Sequence, residues 1–522
     1  MISKAQKLLD PDFPIRRSHG VNVCGYLHTE SGVGAVARGY VHALKSINIP
    51  VALHDLSRLC SNRAEDRSLL TSEASGSYDI NLVCVDVEQH YAALAQMGEE
   101  RFESCYNIGV WWWELMRFPA KWFDRFAYYD EIWVGTSFIA NALAPGAPVP
   151  VVRIPPVLAL DRLGSRDTGR KQLAVQENEF VFLFIFDFNS TYKRKNPLGV
   201  IDAFRQAFDA ADPVRLVIKC VNEHQNPTAF AELKSRVGDY PIRLYSGYWQ
   251  AEEVKNLVAA CDAYVSLHRA EGAGLPIADA MAHGKPVIAT GWSGNMDFMN
   301  AFNSFPVEYD LVELQENAGL YQVGDIWAEP SIEHAAELMR HVYLHRSAAI
   351  ACGLRARRTI ERDYSVQEVG RIINQRLDAI ATRCRIAAFR EETKASYRRY
   401  RQHVVRVRDA ISRVAAPRVT IVVVSKGDDD LLRLSDHVGW HFPQAMDGAY
   451  AGSYPPDSTA AITHFEELRS RGASFLVFPS TAFWWLEHYA GFQRHLARYR
   501  IVNSDEHCLI YSLRDDSGEQ RK

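Results

Sequence analysis

The sequence lacks the features that mark several classes of protein. Its net charge of −4 gives no whole-chain basis for nucleic-acid binding. No run approaches the roughly 20 apolar residues that span a bilayer. The first residues, Met1–Lys7, are polar and lack the apolar core of a signal peptide. We therefore expect a cytoplasmic protein without a nucleic-acid partner, which can at most touch the inner membrane surface.

Paired cysteines and metal-ligand spacings are also missing. The nine cysteines stand at positions 24, 60, 84, 105, 220, 261, 352, 384 and 508, without a CxxC pair. No His or Cys residues have the spacing of a metal site. Most of the cysteines fall in predicted strands or helices, which is typical of reduced thiols in a cytoplasmic protein. The sequence predicts neither a disulfide framework nor a bound metal.

Short apolar strands alternate with helical patterns in the first third of the 522 residues, a length that corresponds to about three domains. Six such strands separated by helices predict a parallel sheet that is covered on both faces, in a Rossmann-like domain of residues 1–160. The predicted strands are Val21–Tyr26, Val51–Leu56, Ile80–Asp86, Asn107–Trp113, Glu131–Gly135 and Val151–Ile154.

Pro155 and Pro156 end this pattern, and the polar stretch Asp161–Asn178 is interpreted as an interdomain linker. A second alternating series predicts another Rossmann-like domain over 161–382, closed by helices. Two such domains form a cleft between the carboxyl ends of their strands, where ligands bind in this architecture. The strands of the second series are Phe180–Asp187, Val214–Cys220, Ile242–Ser246, Ala263–His268, Pro286–Thr290 and Ser304–Val307.

The character of the chain changes after residue 382. Ten basic and three acidic residues lie between Arg383 and Arg413, with apolar residues at helical spacing. This predicts a basic amphipathic helical linker over 383–416, which either contacts anionic lipid or is a solvated helix docked on its neighbours. A small α/β module follows over 417–522. Its predicted strands are Val419–Val424, Phe475–Phe478, Arg500–Val502 and Cys508–Leu513, and its predicted helices are Ser458–Arg471 and Phe483–Tyr499. Its Lys426–Asp430 run is compatible with metal or phosphate chemistry and with an ordinary acidic loop, and the module's function stays open.

The most informative stretch, His268–Ala289, is predicted to run from a buried strand through a loop into a helix. Glu271 lies at the start of the loop and Asp279 one turn into the helix, with Gly272 and Gly274 between them. Glycines let backbone N–H groups approach a ligand closely, and a helix start favours an anion. This pattern suits a nucleotide sugar, but Glu271 could also simply cap a helix.

The stretch resembles the acidic-x7-acidic motif of retaining GT-B glycosyltransferases, the group 1 or family 4 type found in bacterial polysaccharide biosynthesis. It differs in having Asp279 where that family usually has Glu. The resemblance covers roughly residues 20 to 380. It implies that Glu271 holds the donor sugar and Asp279 the ribose diol. The diphosphate-binding residues would be Gly272, Ala273, Gly274, Leu275 and Pro276, and Gly294 and Asn295 would form a second glycine turn under the donor.

A cationic run follows the first strand of the second domain. In the resembling family an arginine and a lysine, about five or six positions apart, stabilise the leaving diphosphate. The lysine corresponds to Lys195. The arginine position falls on Asn189 or Ser190, so the resemblance assigns Asn189 to the donor site and leaves Lys193 or Arg194 to supply the missing charge.

On the first domain, Gly32 and Gly34 follow the first strand and enter a helix, like the family's glycine-rich loop opposite the donor. His28, Glu30 and Arg38 are candidates for acceptor or phosphate contacts. Trp113 and Glu114 end a strand at the same edge and are expected on the acceptor side, whereas Trp111 and Trp112 are expected in the core.

The resemblance implies a metal-independent hexosyltransferase that acts with retention. It would need no cofactor beyond its nucleotide-sugar co-substrate, and its acceptor would be a glycan or a lipid-linked glycan. Peripheral membrane contact through 383–413 is predicted separately, from the basic amphipathic pattern of that stretch. Two alternatives remain. One is a non-catalytic glycan-binding or scaffold protein on a degenerate GT-B fold, which the missing arginine favours. The other is a GT-B-like sugar-nucleotide epimerase.

Overall fold

A computed structural model describes residues 20–69, 78–158 and 163–514. The described residues divide into two compact units, one ending at Thr382 and the other beginning at Arg383. The predicted domain limits at residues 1, 160, 161 and 522 fall outside the described ranges, and only the limits near 382 and 416 lie within them.

The first unit opens with a six-stranded sheet in the order β2-β1-β3-β4-β5-β6, in which every neighbouring pair is parallel. Its strands are β1 (Val21–Gly25), β2 (Val51–Asp55), β3 (Ile80–Cys84), β4 (Tyr106–Trp111), β5 (Glu131–Val134) and β6 (Val151–Arg153). Its four central strands, β1, β3, β4 and β5, are almost entirely buried because helices cover both faces of a parallel sheet. Its α-helices are Gly32–Ser46, His90–Met97, Glu99–Ser104 and Ser137–Leu143.

A second parallel sheet of the same unit has the order β12-β11-β10-β7-β8-β9. Its strands are β7 (Phe180–Asp187), β8 (Val214–Val221), β9 (Ile242–Tyr245), β10 (Ala263–Ser266), β11 (Val287–Thr290) and β12 (Phe305–Val307). The strand order changes direction between β7 and β10, so the loops after these two strands flank a topological switch point. Ligands bind at such points in open α/β sheets.

The helices of this second sheet are Arg166–Leu173, Tyr192–Lys195, Pro197–Ala207, Pro227–Val237, Ala251–Ala260, Leu275–Ala282, Ile332–Leu344 and Arg346–Asp363. The long helix Val366–Val414 begins in this unit and ends in the other. An antiparallel hairpin, β13 (Tyr309–Glu313) with β14 (Ile326–Pro330), was absent from the sequence prediction. β13 is largely exposed and β14 is largely buried, and neither has the alternating pattern that marks a strand in the sequence.

All twelve predicted strands of the two Rossmann-like domains are present, and the GT-B fold class is confirmed. The stretch Asp161–Asn178, predicted to be an interdomain linker, instead contains the helix Arg166–Leu173. Ser165 caps this helix by accepting from Thr168 N–H. Arg170 is buried and bonded to carbonyl oxygens, so a polar sequence forms a packed helix through hydrogen bonds rather than apolar burial.

The closing helix returns to the first sheet, as expected. Arg376 forms an ion pair with Glu131 of β5, whose side chain is fully buried. Trp133 Nε1–H donates to the same carboxylate at 2.6 Å, and the Tyr106 hydroxyl donates at 3.0 Å. These donors satisfy a charge that would otherwise be costly to bury, and they fasten the helix to the first domain.

The second unit contains a five-stranded sheet in the order β16-β15-β17-β19-β18. The strands are β15 (Thr420–Val423), β16 (Val438–His441), β17 (Ala473–Pro479), β18 (Arg500–Ser504) and β19 (Cys508–Ser512). The first three are mutually parallel, and β19 is antiparallel to β17 and β18. β16 was not predicted from the sequence, and only the last of its four residues is buried. The helices are Ser458–Ser470, Trp484–His488 and Ala490–Leu496, so the single helix predicted over Phe483–Tyr499 is broken at Tyr489.

The basic stretch belongs to the continuous helix Val366–Val414 rather than to a separate linker helix. Val404, Val407 and Ile411 are buried against the second unit's sheet, so these apolar side chains are not available to a lipid surface. Ile386 and Tyr397 remain exposed. No helix among the described residues is long and apolar enough to cross a membrane. Peripheral contact through 383–413 stays a prediction.

The division at Thr382 predicts that a protein ending at residue 382 folds on its own, since both six-stranded sheets and the Arg376–Glu131 ion pair lie before it. We expect a soluble monomer with a cooperative thermal transition and native near-ultraviolet circular dichroism. A truncated protein that aggregates, or melts without a cooperative transition, would show that the later residues are integral to the core.

Candidate active site

The loops after β7 and β10 bring three charged side chains together at the switch point. The ammonium group of Lys195 forms an ion pair with the Glu271 carboxylate. Arg194 Nη1 lies 3.3 Å from the other carboxylate oxygen and donates to the Ala270 carbonyl at 2.6 Å. The Glu271 side chain is buried, with 7% of the residue exposed. Glu271, which begins the loop after β10, is therefore enclosed in a buried cluster of charges.

The ionisation of this cluster follows from competition between burial and charge. Burial alone would raise the pKa of Glu271, but Lys195 and Arg194 outweigh it and lower this pKa to about 2. Burial lowers the pKa of Lys195, and Glu271 acts against that change. Glu271 is therefore ionised at neutral pH, and the two cations and one carboxylate leave one net positive charge.

Backbone donors are open beside the cluster. The N–H groups of residues 272–275 find no hydrogen-bond acceptor within the described chain. Gly274 has φ +80°, a conformation that favours glycine, and the helix Leu275–Ala282 begins immediately after it. A Cβ on Gly294 would lie 1.9 Å from the Gly272 carbonyl oxygen. Only glycine at this position lets the turn at residue 294 pack against the loop at residue 272. The arrangement is suited to an anion.

Asp279 lies on the same helix and is half-buried. No hydrogen bond or ion pair to its carboxylate occurs within the described residues. Burial raises the pKa of Asp279 to about 7, against a smaller effect of Lys255. A carboxylic acid that titrates near neutral pH and lacks a protein partner is a plausible ligand contact.

The glycine-rich loop of the first domain faces this helix start. Ser31 caps the helix Gly32–Ser46 by accepting from the Gly34 N–H. A Cβ on Gly34 would lie 2.6 Å from Thr29 Oγ1, so only glycine fits there. A Cβ on Gly32 would lie 3.5 Å from Leu275 Cδ1. The starts of two helices, one from each Rossmann-like domain, thus converge in the cleft.

His28, Glu30 and Arg38 are engaged within the first domain. Arg38 pairs with Asp66 at 3.1 Å and donates to the carbonyl of Thr29 at 2.7 Å. His28 Nδ1 lies 3.0 Å from the Asp66 carbonyl oxygen, and Glu30 pairs with Arg63. These contacts hold the glycine-rich loop in place.

The aromatic residue beside the second-domain loop is Trp112, not Trp113. Trp113 is 2% exposed and packs in a cluster that also includes Tyr321 and Trp327 of the second domain, and its acceptor-side position stays a prediction. Trp112 lies against Gly272, whose Cβ would be 3.4 Å from the ring, and its buried Nε1–H has no hydrogen-bond partner. The strand ends at Trp111, so strand alternation does not extend to the next two tryptophans. Glu114 accepts from the Tyr321 hydroxyl at 3.0 Å.

The remaining predicted cations and amides differ in environment. Lys193 is exposed and pairs with Glu316 on the surface. Asn189 Nδ2 donates to Asn62 Oδ1 at 3.3 Å, and Asn62 in turn donates to Asp187 at 2.8 Å. An uncharged contact between the two domains therefore occupies the position of the family's arginine.

Asn295 supports the donor-side loop from behind. It is fully buried, and its amide donates to the Thr290 carbonyl at 3.0 Å. Its Oδ1 lies 3.0 Å from His268 Nε2. Ser293, absent from the predicted set, accepts from the Glu271 N–H at 2.8 Å. Neither Ser293 nor Trp112 carries a sequence signal of its own beyond its place next to a motif residue.

Comparison with known proteins agrees with this geometry. Residues 165–304 match the family of glycosyl transferases group 1, and this region contains Lys195, Glu271 and Asp279. The matched region lies within the second Rossmann-like domain. No curated protein sequence matches the chain.

Solved structures share the fold of the first unit. Sucrose-phosphate synthase from Thermosynechococcus elongatus is 12% identical, with a TM-score of 0.53 over 69% of this chain and 99% of that one. A glycosyltransferase from Rickettsia africae is 15% identical, with a TM-score of 0.52 over 69% and 98%. HepE from Anabaena in complex with UDP is 15% identical, with a TM-score of 0.50 over 69% and 100%. At these identities the likeness establishes the GT-B fold.

The buried cluster predicts a stability difference between two Glu→Gln substitutions. Glu271→Gln leaves Lys195 and Arg194 without their carboxylate and should lower the free energy of unfolding by about 3 kcal/mol. Glu316→Gln removes only the exposed partner of Lys193 and should leave stability unchanged. Urea unfolding of the two variants measures the difference, and equal stabilities would contradict a structural ion cluster.

Proposed function

We propose that this protein transfers a sugar from a nucleotide-sugar donor to a glycan or lipid-linked acceptor, with retention at the anomeric carbon. The observation that carries the proposal is the net positive cluster of Lys195, Arg194 and Glu271 beside the open N–H groups of residues 272–275. These groups lie at the switch point of the domain that contains the match to group 1 glycosyl transferases. A diphosphate is the ligand that this combination of charge and donors fits best.

The same groups account for leaving-group departure. As the bond between the anomeric carbon and the phosphate oxygen breaks, negative charge grows on the diphosphate, and Lys195 together with the helix start stabilises it. Glu271, ionised because its pKa is lowered to about 2, accepts hydrogen bonds from sugar hydroxyls and does not act as an acid. The acceptor hydroxyl attacks from the face that the diphosphate leaves, and a phosphate oxygen takes its proton.

The positive charge of these side chains also supports metal independence, because it stabilises the leaving diphosphate without a metal ion. Asn189 and Ser190 stand where the family has arginine, so Lys195 and Arg194 are the two cations nearest to the reacting position. The first domain contributes one hydrogen-bonding group to the site, the Nε1–H of Trp112. This group lies beside Gly272 and has no partner among the described residues. It donates a hydrogen bond either to the sugar donor or to the sugar acceptor. Hexosyl specificity follows from the family resemblance alone.

A non-catalytic glycan-binding role is the second candidate, favoured by the uncharged Asn189 contact. The deciding experiment incubates the protein with a panel of nucleotide sugars, with and without EDTA, and follows release of nucleoside diphosphate. Proton NMR of the product gives the anomeric configuration. We expect release with at least one donor, retained configuration and no effect of EDTA. Donor binding without turnover would support the binding role, and an epimerised nucleotide sugar would support an epimerase.

Two neighbouring lysines give a matched test of leaving-group stabilisation. Lys195→Ala should lower kcat by about 10²- to 10³-fold, the scale for one preorganised charge-stabilising group, with a smaller change in the donor KM. Lys193→Ala, which removes an exposed side chain paired with Glu316, should leave both constants unchanged. A rise in donor KM alone for Lys195→Ala would contradict the leaving-group role.

Asp279 predicts a pH dependence of donor binding. Its carboxylate accepts from the ribose diol only when ionised, and burial raises its pKa to about 7. The donor KM should therefore rise as the pH falls below about 7, by up to about tenfold for each pH unit, and should be constant above it. Asp279→Asn should remove this dependence between pH 6 and 8. A wild-type KM that is equal at both ends of this range would contradict the ribose contact.

A further inference from the structure

We propose that the second unit contains a separate site, in which Ser425, His441 and Asp429 form a hydrogen-bonded nucleophile, base and orienting carboxylate that cleave a neutral carboxylic ester. This inference does not rest on the proposed glycosyl transfer. All three residues belong to the unit that begins at Arg383.

The three side chains form a continuous hydrogen-bonded chain. Ser425 Oγ lies 2.6 Å from His441 Nδ1, and His441 Nε2 lies 3.1 Å from Asp429 Oδ1. Because an ionised carboxylate only accepts, the Nε2 atom carries the proton and Nδ1 presents its lone pair to the serine hydroxyl. A nucleophile bonded to a base, which a third group orients, is the arrangement that activates serine for attack.

The chain lies at the carboxyl edge of the parallel part of the sheet. β15 pairs with β16 on one side and with β17 on the other. Ser425 follows the end of β15, and His441 ends β16 as the register partner of Val423. The crossing from β16 to β17 reverses the strand order, so this edge is a topological switch point, where open α/β sheets bind ligands.

The backbone beside the serine provides donors for a developing oxyanion. Lys426 and Gly427 have φ of +52° and +83°, which places a non-glycine residue in a strained conformation of the kind found at functional sites. Within the described chain the Lys426 N–H has no hydrogen-bond acceptor. The Gly427 N–H makes a long bond of 3.3 Å to Ser425 Oγ. The residue after a serine nucleophile commonly supplies such a donor.

The three consecutive aspartates have separate partners. Asp428 accepts from the Tyr400 hydroxyl, and Asp430 pairs with Arg401 and Arg433. Asp429, whose side chain is 79% exposed, is the one that contacts His441. Its exposed negative charge at the edge of the site repels phosphate and carboxylate substrates, so a neutral ester is the favoured class.

Tyr450 packs beside His441 and Gly427, the two neighbours of the serine in this site. Its ring lies 6.0 Å from that of His441, and a Cβ on Gly427 would lie 3.0 Å from it. Ser425 is only 3% exposed. Gly448 and Gly452, both with positive φ, flank Tyr450 in an exposed loop. Movement of this one side chain opens the nucleophile to a substrate.

The reaction is balanced with water as the second substrate. Ser425 Oγ attacks the ester carbonyl carbon while its proton passes to His441 Nδ1. The tetrahedral intermediate then expels the alkoxide, which takes that proton and leaves as an alcohol. Water attacks the acyl-serine with its proton going to His441, and the serine leaves with that proton, releasing a carboxylic acid. No redox partner is required.

The test uses the full-length protein and a fluorophosphonate probe, which labels activated serines with loss of fluoride. Peptide mass analysis should place the label on Ser425. Asp429→Asn changes an exposed side chain, so the fold should be retained while the labelling rate falls about 10²-fold, the scale of general base catalysis. Ser453→Ala, at an exposed serine of the Tyr450 loop, is the control and should label normally. Tyr450→Ala should label faster than wild type.

Near-ultraviolet circular dichroism of each variant confirms the fold. The proposal is overturned if Ser425 remains unlabelled in both the wild-type protein and the Tyr450→Ala variant. It is also overturned if Asp429→Asn labels at the wild-type rate. Hydrolysis of p-nitrophenyl acetate that is lost on removal of the Ser425 hydroxyl would support it independently.

Discussion

The buried contact of Lys195, Arg194 and Glu271 is the constraint on which the candidate active site depends. Removing three charges from water is costly, and the arrangement persists because each charge has a partner of opposite sign or a carbonyl acceptor. The contact joins the loop after β7 to the loop after β10. It therefore fixes the position of residues 272–275, whose N–H groups would otherwise lack a defined direction.

Close backbone packing also holds residues 272–275 in position. Gly294 lets its turn approach the Gly272 carbonyl, and Thr136 of the first domain donates to the same carbonyl at 2.9 Å. The first-domain helix start at Gly32 lies against Leu275. The result is a loop whose open N–H groups are held in place by both domains, an arrangement suited to an anion.

The strands and the fold were predictable from the sequence because buried parallel strands are continuous apolar runs, and Glu271, Lys195 and Asp279 stand in a recognisable pattern. The burial of Glu271 could not be predicted from the sequence, because it depends on cations from a different loop. Trp112 is half-buried rather than in the core because β4 ends at Trp111, so strand alternation does not extend to it. The Ser425–His441–Asp429 chain joins residues up to sixteen positions apart through strand pairing, which no local motif encodes.

The most direct test of the central claim is a crystal structure of the protein with a bound nucleoside diphosphate. The account predicts the diphosphate within hydrogen-bonding distance of Lys195 and of the N–H groups of residues 272–275, with the ribose beside Asp279. A nucleotide bound elsewhere on the molecule, with the Lys195–Glu271 ion pair and the neighbouring N–H groups free of phosphate, would contradict it.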